Sequence, residues 1–385
     1  MIQHIVIKNF KSIKNAETKF PQHVSALVGL NGVGKTNLIQ AINFVRTLVI
    51  GKSTTAALEA IALTPKELFN FNEEKSEIFI GITASDLEEN KYLFEVTISL
   101  INQTSNLQNL VIQNEALYKY SDNDEKEVVY KREGLKLVDK NNTEIPLAVE
   151  AEKAAASLYQ QRDVVSVRNI FSNVFIPDQD TIDFRESIVK AGDKGLAGLI
   201  VYLRQKDTSS FDHFITIVKK LLPTFSTVIE LSSTPNPNQT PENERPYMVL
   251  LEEANLNGRL SVKSLSAGDL RTLYMIASVM NLKPGSTFIV EEVENGLHPN
   301  RLARLLDHLG MISVKKDIQI IYSTHSPLAI NKLKAEDVIF VEKDTPQGTR
   351  FHLLSDAEHI GSIKKLLADG VPLAEYMYSK MMSNN

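Results

Sequence analysis

Residues 24–42 read Val24-Ser25-Ala26-Leu27-Val28-Gly29-Leu30-Asn31-Gly32-Val33-Gly34-Lys35-Thr36-Asn37-Leu38-Ile39-Gln40-Ala41-Ile42. An apolar run, Ala26 to Val28, leads into Gly29–Thr36, a full G-x-x-x-x-G-K-[ST] match. A helical pattern leaves it, with Leu38, Ile39, Ile42 and Val45 on one face. Strand, glycine-rich loop, helix is the context in which this motif holds phosphate. Gly29, Gly32 and Gly34 admit dihedrals closed to other residues. The loop can then curl its N–H groups inward as a nest for phosphate oxygens, and the next helix adds the positive end of its dipole. Lys35 is placed to reach the β- and γ-phosphates, and the Thr36 hydroxyl to ligate Mg²⁺. The expected ATP contacts here are Asn31, Gly32, Val33, Gly34, Lys35, Thr36 and Asn37.

Composition bounds the rest. A chain of 385 residues can bury one large core, or one core plus an inserted subdomain. The net charge of −5 gives no global electrostatic case for nucleic acid, so any such contact needs a local basic patch. There is no cysteine, which excludes disulfides, zinc–thiolate sites and thiol nucleophiles. No apolar run approaches the ~18 residues of a membrane span, and the N-terminus lacks a signal-peptide pattern. A cytoplasmic protein without a membrane partner is the expectation.

Outward from the loop, residues 2–8 alternate and read as a first strand, with Lys8, Lys11 and Lys14 on a solvated rim. Residues 51–76 read as mixed helix and loop. Glu77–Ile82 and Lys91–Leu100 read as strands, and three further short strands fit within Asn109–Val138, making an antiparallel layer. Leu147 to Gln161 is alanine-rich and predicted helical, and Asn173–Pro177 is a short strand. Helical patterns cover roughly 185–205 and 210–222, without the sustained heptads of a coiled coil. Pro235, Pro237, Pro241 and Pro246 punctuate a polar loop expected to be flexible. Tyr247–Leu251 and Arg259–Val262 read as strands joined across Asn257-Gly258.

Three later motifs decide which kind of phosphate-binding loop this is. Ser264-Leu265-Ser266-Ala267-Gly268-Asp269 precedes a helix, so Ser266 and Gly268 sit at an anion-attracting N-terminus, although an ordinary N-cap at Ser266 reads the same way. A buried strand, Phe288 to Val290, ends in Glu291 and Glu292. The first carboxylate can complete a Mg²⁺ shell beside Thr36, and the second can orient and deprotonate an attacking water. Another buried strand, Ile318 to Ser323, ends in Thr324-His325-Ser326-Pro327, where the His325 imidazole could hydrogen-bond a γ-phosphate oxygen.

The order GLNGVGKT, LSAGD, FIVEEVENGLHP and STHSP resembles an ABC-class ATPase, and more narrowly the soluble branch of SMC proteins, RecF mediators and overcoming-lysogenisation-defect (OLD) ATPases. The resemblance covers residues 1–50 and 260–345 well. It implies that Gly34, Lys35 and Thr36 are Walker A, and that Glu291 and Glu292 are Walker B, with Glu292 the general base. It implies that Ser266, Ala267 and Gly268 are a signature meeting the ATP of another protomer. Glu294 to His298 become the D-loop and His325 the switch histidine. The class also has a Q-loop glutamine, for which Gln179 is the candidate and Gln161 the rival. Two departures stand out: Glu291 holds the position of an aspartate, leaving the hydrolysis rate open, and the signature reads LSAGD rather than LSGGQ.

The expected fold is α/β, a P-loop NTPase ABC-type head with a mainly parallel core sheet, an antiparallel β layer and an inserted helical lobe. Residues 1–100 and 260–345 would form the split head, 101–259 the inserted lobe, and 346–385 a C-terminal hairpin strand and helix. After His325 the remaining residues, with a turn at Pro346-Gln347-Gly348, do not accommodate a TOPRIM nuclease. The resemblance implies an ATP- and Mg²⁺-dependent homodimer that works beside a separately encoded effector such as a nuclease, with DNA as a candidate partner, in phage defence or DNA maintenance. Two alternatives stay open: the nucleotide-binding subunit of a transporter, and a poorly hydrolysing regulatory clamp.

Overall fold

The computed structural model describes residues 1–69, 77–102, 108–186, 188–232, 246–253, 258–344, 348–356 and 360–383. In chain order the elements are β1 (Ile2–Phe10), β2 (Ile13–Lys19), β3 (Val24–Val28), α1 (Lys35–Val49), α2 (Thr54–Glu59), β4 (Glu77–Ser85), β5 (Lys91–Asn102), β6 (Gln108–Tyr120), β7 (Lys126–Glu133) and β8 (Lys136–Asp139). Then come α3 (Arg162–Ser172), β9 (Val174–Phe175), α4 (Gln179–Ile182), β10 (Ile188–Val189), α5 (Gly195–Lys206), α6 (Thr208–Leu221), β11 (Phe225–Ser232), β12 (Tyr247–Glu253), β13 (Arg259–Ser261) and α7 (Ala267–Asn281). The chain closes with β14 (Thr287–Val290), α8 (Pro299–Lys316), β15 (Gln319–Thr324), α9 (Pro327–Ile330), β16 (Val338–Asp344), β17 (Gly348–Leu353), α10 (Ile360–Ala368) and α11 (Leu373–Ser383).

Contacts divide the chain into two compact units. The first comprises Met1–Phe175, Pro284–Glu291 and Gln319–Asn385. Its described strands form one sheet of thirteen, in the order β8-β7-β6-β5-β4-β1-β2-β17-β16-β3-β15-β14-β9. The run from β16 through β3, β15 and β14 to β9 is parallel, and the rest is antiparallel. The parallel core and the antiparallel layer are therefore one continuous sheet, of the mixed kind common among large sheets.

Side-chain patterns explain that division. β14 and β15 are buried at every residue, as strands covered on both faces must be. β1 alternates, with Ile5 and Ile7 inside and Lys8 exposed. Helix α1 buries Leu38, Ile39, Ala41, Ile42, Phe44, Val45, Leu48 and Val49, a face wide enough to lie deep in this unit.

The second unit comprises Ile176–Lys283 and Glu292–Ile318. A small antiparallel sheet, β10-β12-β11 with β13 beside β12, accompanies α5, α6, α7 and α8. Helix α7 is buried along almost its whole length, from Gly268 to Met280, which makes it the centre of this unit. Helix α8 starts with Pro299 in its first turn and His298 as N-cap, and stops at Asp317 in the left-handed region.

Most strand expectations hold within a few residues at their ends, although β6 is a thirteen-residue strand and not a short one. Two helical expectations do not hold. Residues 147–161 contain one short 3₁₀ turn, Ala155–Ser157, and the helix begins only at Arg162. The backbone there is bound elsewhere: the Glu115 carboxylate accepts from Ala155 N and Ala156 N, each at 2.8 Å, while Arg132 donates to the carbonyls of Glu150 and Lys153 at 2.9 and 2.5 Å. The Ala155 and Ala156 N–H groups are thereby taken from helical bonds and Arg132 holds the neighbouring carbonyls from outside, so tertiary partners override alanine's propensity. Helix α5 starts at Gly195 rather than near 185, because Ile188 and Val189 pair with β12. The proline loop at 235–241, Asn257 and the turn residues Pro346 and Gln347 lie outside the described residues. Among the described residues no helix is long and apolar enough to cross a membrane.

Candidate functional site: a phosphate-binding loop with an acidic strand end

Strands β3, β15 and β14 are parallel neighbours, with Val28 beside Thr324 and Val290 beside Tyr322. Their C-terminal ends therefore emerge on one edge of the sheet, the edge where open α/β sheets bind ligands. From that edge continue Gly29–Gly34, His325 and Glu291.

The loop has the required backbone. Gly32 and Gly34 adopt φ of 79° and 112°, the left-handed region that glycine tolerates. A Cβ on Gly29 would fall 2.2 Å from the Val341 carbonyl oxygen, so that glycine is set by close approach. Gly34 is the N-cap residue of α1 and, having no side chain, does not itself cap the first-turn N–H groups, which are the groups that a helix N-terminus offers to an anion.

The side chains follow. Lys35 is buried, and its Nζ donates to the carbonyls of Gly29 and Leu30, both at 2.8 Å. It is folded over the loop it follows in the chain. The Thr36 hydroxyl donates to Glu291 Oε2 at 2.7 Å. Two hard oxygen donors from chain positions 255 apart thus meet, and this donor set fits Mg²⁺. Asn37 turns its amide to Ser12 Oγ at 2.6 Å. His325 is exposed at the end of β15, and its carbonyl accepts from Tyr378 Oη on α11 at 2.5 Å. Asn31 and Gly32 are exposed, and Val33 is half-buried.

The remaining motif residues, apart from Gln161, lie in the second unit. Ser266 caps α7: its Oγ accepts from Asp269 N at 3.1 Å and donates to Asp269 Oδ2 at 2.7 Å. Ser266 and Ala267 are exposed, while Gly268 is buried where a Cβ would fall 2.5 Å from the Gly296 carbonyl oxygen. Arg301 donates to Asp269 Oδ1 at 2.6 Å. The signature-like turn and the segment 294–298 are thereby knitted together. Glu292, exposed, has φ of 45°, unusual for a residue with a side chain, and its carbonyl accepts from Arg271 Nη2 at 2.9 Å. Gln179 accepts from Arg271 Nη1 at 3.0 Å and donates to Asp183 at 2.7 Å. Its rival Gln161 has an N-capping role, accepting from Val164 N at 3.1 Å at the start of α3.

The sequence reading missed Arg271, Asp269, Arg301, Ser12 and Thr349. Asp269 carried a signal, since Ser-x-x-Asp before an apolar run is a capping box. The others touch the motifs only through the fold.

A family described as "AAA domain, putative AbiEii toxin, Type IV TA system" matches residues 24–331. A Helicobacter pylori protein named ATP/GTP phosphatase is 25% identical over 393 residues, which span 94% of this chain and 94% of its own. The DNA replication and repair protein RecF of Porphyromonas gingivalis is 50% identical over 44 residues, 11% of this chain and 12% of its own. Among solved structures, an Smc head bound to the C-winged helix domain of ScpA superposes with a TM-score of 0.56 at 15% identity, covering 91% of this chain and 96% of that one. That likeness is one of fold.

Proposed function

We propose, from the premise that this chain belongs to the AAA domain family that matches residues 24–331, that it is the head of an ATP-driven dimerisation switch. The chain is a P-loop ATPase of the SMC- and RecF-like branch. Two protomers sandwich two ATP molecules. Each site takes Lys35, Glu291, Glu292 and His325 from one protomer and Ser266, Ala267 and Gly268 from the other. Lys35 leaves the Gly29 and Leu30 carbonyls for the β- and γ-phosphates. Glu292 orients and deprotonates the attacking water, and His325 hydrogen-bonds a γ-phosphate oxygen. Thr36 and Glu291 would hold Mg²⁺, which would supply neutralisation of charge on the phosphate oxygens.

The observation that carries the ATP-site part of this reading is the 2.7 Å hydrogen bond from Thr36 to Glu291. It joins the end of the phosphate-binding loop to the acidic strand end, which a chance motif match would not do.

Hydrolysis opens the sandwich and passes the change of shape to a partner, an effector protein such as a nuclease, or DNA, in phage defence or DNA maintenance. For a protein partner, support comes from the related Smc head, which is bound to a domain of ScpA. For DNA, support comes from the open face of the antiparallel layer. Exposed Lys8 lies 5.4 Å from the Phe79 ring and exposed Lys126 lies 5.8 Å from that of Tyr118. A hollow of about 490 Å³ on this face is lined by both rings, with Lys131 and Lys136 interleaved with Glu95 and Glu133. A slower version of the same switch, in which ATP holds the dimer far longer than chemistry requires, is favoured by Glu291 in place of an aspartate.

ATP hydrolysis and light-scattering mass, measured together, test the reading. Wild type turns over ATP and dimerises with it. Glu292→Gln dimerises with ATP but hydrolyses it about 100-fold more slowly or worse. Lys35→Ala does neither. Wild-type ATP binding by Lys35→Ala would sink the assignment of the loop, and a monomer at saturating ATP in Glu292→Gln would sink the switch.

A further inference from the structure

The phosphate-binding loop is held from outside by three hydrogen bonds in series. Asn37 donates Nδ2–H to Ser12 Oγ at 2.6 Å. Ser12 Oγ and Thr349 Oγ1 are 2.7 Å apart. Thr349 Oγ1 donates to the Val33 carbonyl oxygen at 2.7 Å. The ends of this series fix its direction, because an amide N–H only donates, a carbonyl only accepts and a hydroxyl has a single proton. Thr349 gives its proton to Val33, so Ser12 must donate to Thr349 and accept from Asn37. The order runs Asn37 to Ser12 to Thr349 to Val33.

The far end sets the geometry of the nest. Among the described residues no peptide bond is cis. The Val33–Gly34 peptide is trans, so its C=O and N–H point in opposite directions. With the Val33 oxygen turned out to Thr349, the Gly34 N–H is turned the other way, into the loop. Gly34 has φ of 112° and ψ of 16°, and a Cβ there would fall 2.4 Å from Thr349 Oγ1. Thr349 is itself fixed. It is fully buried, and its N–H donates to the Ser12 carbonyl at 2.9 Å. The preceding Gly348, at φ of 79°, passes so close that a Cβ would fall 2.4 Å from the same Ser12 oxygen.

We propose that Thr349, acting with Ser12, is a positioning residue for nucleotide binding: it holds the Val33–Gly34 peptide with its N–H toward the phosphates before ATP arrives. This rests on reading residues 29–36 as the ATP site. Forming the nest in advance removes an ordering cost from binding. The same contact serves ground state and transition state alike, so its loss falls on KM and spares kcat.

Steady-state ATP hydrolysis tests this with Thr349→Val, which keeps the shape and loses the donor. KM rises about tenfold and kcat stays within about twofold. Thr349→Ser, which retains the hydroxyl, brings KM back to within about twofold of wild type. Ser12→Ala, cutting the series one link from the loop, raises KM by a smaller factor, and it decides the matter if Thr349→Val does not fold. The proposal is overturned by an unchanged KM in Thr349→Val or Ser12→Ala, by a fall in kcat at constant KM, or by a Thr349→Ser as impaired as Thr349→Val. Lys35→Ala separates the two levels of the argument. If it hydrolyses ATP like wild type, the reading of the loop fails. If it is inactive while Thr349→Val keeps the wild-type KM, only the brace fails.

Discussion

Glu291 stands where an aspartate is usual, and its carboxylate nevertheless reaches the Thr36 hydroxyl at 2.7 Å. The extra methylene is therefore part of the distance the site was built around. Glu291→Asp would withdraw the carboxylate by about 1.5 Å, one C–C bond, and weaken the grip on Mg²⁺ from that side. The expected outcome is a Mg²⁺ concentration for half-maximal hydrolysis raised at least about tenfold, in the range for disturbing a metal's surroundings. Metal-free binding of a fluorescent ATP analogue should be unchanged. A Mg²⁺ titration equal to or better than wild type would show that the carboxylate length is indifferent here. Residues 29–36 were legible in the sequence because glycine spacing is itself the signal: Gly32 and Gly34 sit at φ of 79° and 112°, which few other residues accept. Thr349 was not legible. It is an ordinary threonine on a strand, and it meets Val33 across 316 residues of chain. Arg271 is hidden in the same way, since its bonds to Gln179 and to the Glu292 carbonyl depend on packing around α7.

At the scale of elements, the segment 147–161 shows what a local reading cannot contain. Its alanines favour helix, but four donors, two from this segment and two from β7, converge on the fully buried Glu115 carboxylate. Ala155 N and Ala156 N lie at 2.8 Å, Tyr130 Oη at 2.5 Å and Arg132 Nη1 at 3.4 Å. The segment is thereby stapled to β6 and β7 in a non-helical form. A glutamine in place of Glu115 would offer one acceptor oxygen and turn an NH₂ group toward donors. It would also leave Arg132, buried, without its counter-charge. Glu115→Gln should therefore cost about 3–5 kcal/mol of unfolding free energy, the range for breaking a buried pair from one side, read from urea denaturation. The pH dependence carries its own sign. Burial is the largest influence on Glu115 and pushes its carboxyl above the usual range, against the pull of Tyr130, the two backbone N–H groups and Arg132. Between the unfolded and the raised folded value the folded chain holds more protons, so this group's contribution is greatest below the unfolded value and declines as pH rises toward the folded one. The glutamine variant should lose that part of the decline. Equal stability of the two proteins would remove the network from the account of why 147–161 is not a helix. Most strands, by contrast, were legible to within a few residues, because two-residue alternation as in β1 and continuous apolar runs as in β14 and β15 are imposed by the sheet's own faces, whereas β10 and β11 were not expected.

For the whole molecule, the order of strands in the sheet was beyond reach of any local pattern, since β17 lies between β2 and β16 and joins the first residues of the chain to the last strands. The motifs are divided between the two units. The phosphate-binding loop, Glu291 and His325 belong to the first, while Ser266 to Gly268 and Glu292 belong to the second. Ser266 and Ala267 are exposed on the helix start they cap, although the rest of α7 is buried, so they are available to another protomer. If each ATP is shared between two copies, then defects in the two halves must complement when they reside on different chains. Take Lys35→Ala, with a dead loop and a sound signature, and Ser266→Arg, with a sound loop and a blocked signature. Each alone is inactive in every dimer it forms. In a mixed dimer of twofold symmetry, one site collects both defects and the other collects neither. Random pairing would make half the dimers mixed and leave half of their sites intact, so hydrolysis should recover to at most about a quarter of the wild-type rate per protomer. Dilution should abolish the recovery faster than it abolishes wild-type activity, because only a re-formed mixed pair is competent. If the mixture stays as inactive as its components while mixed dimers still form, Ser266 serves the site on its own chain, and the shared arrangement must be abandoned.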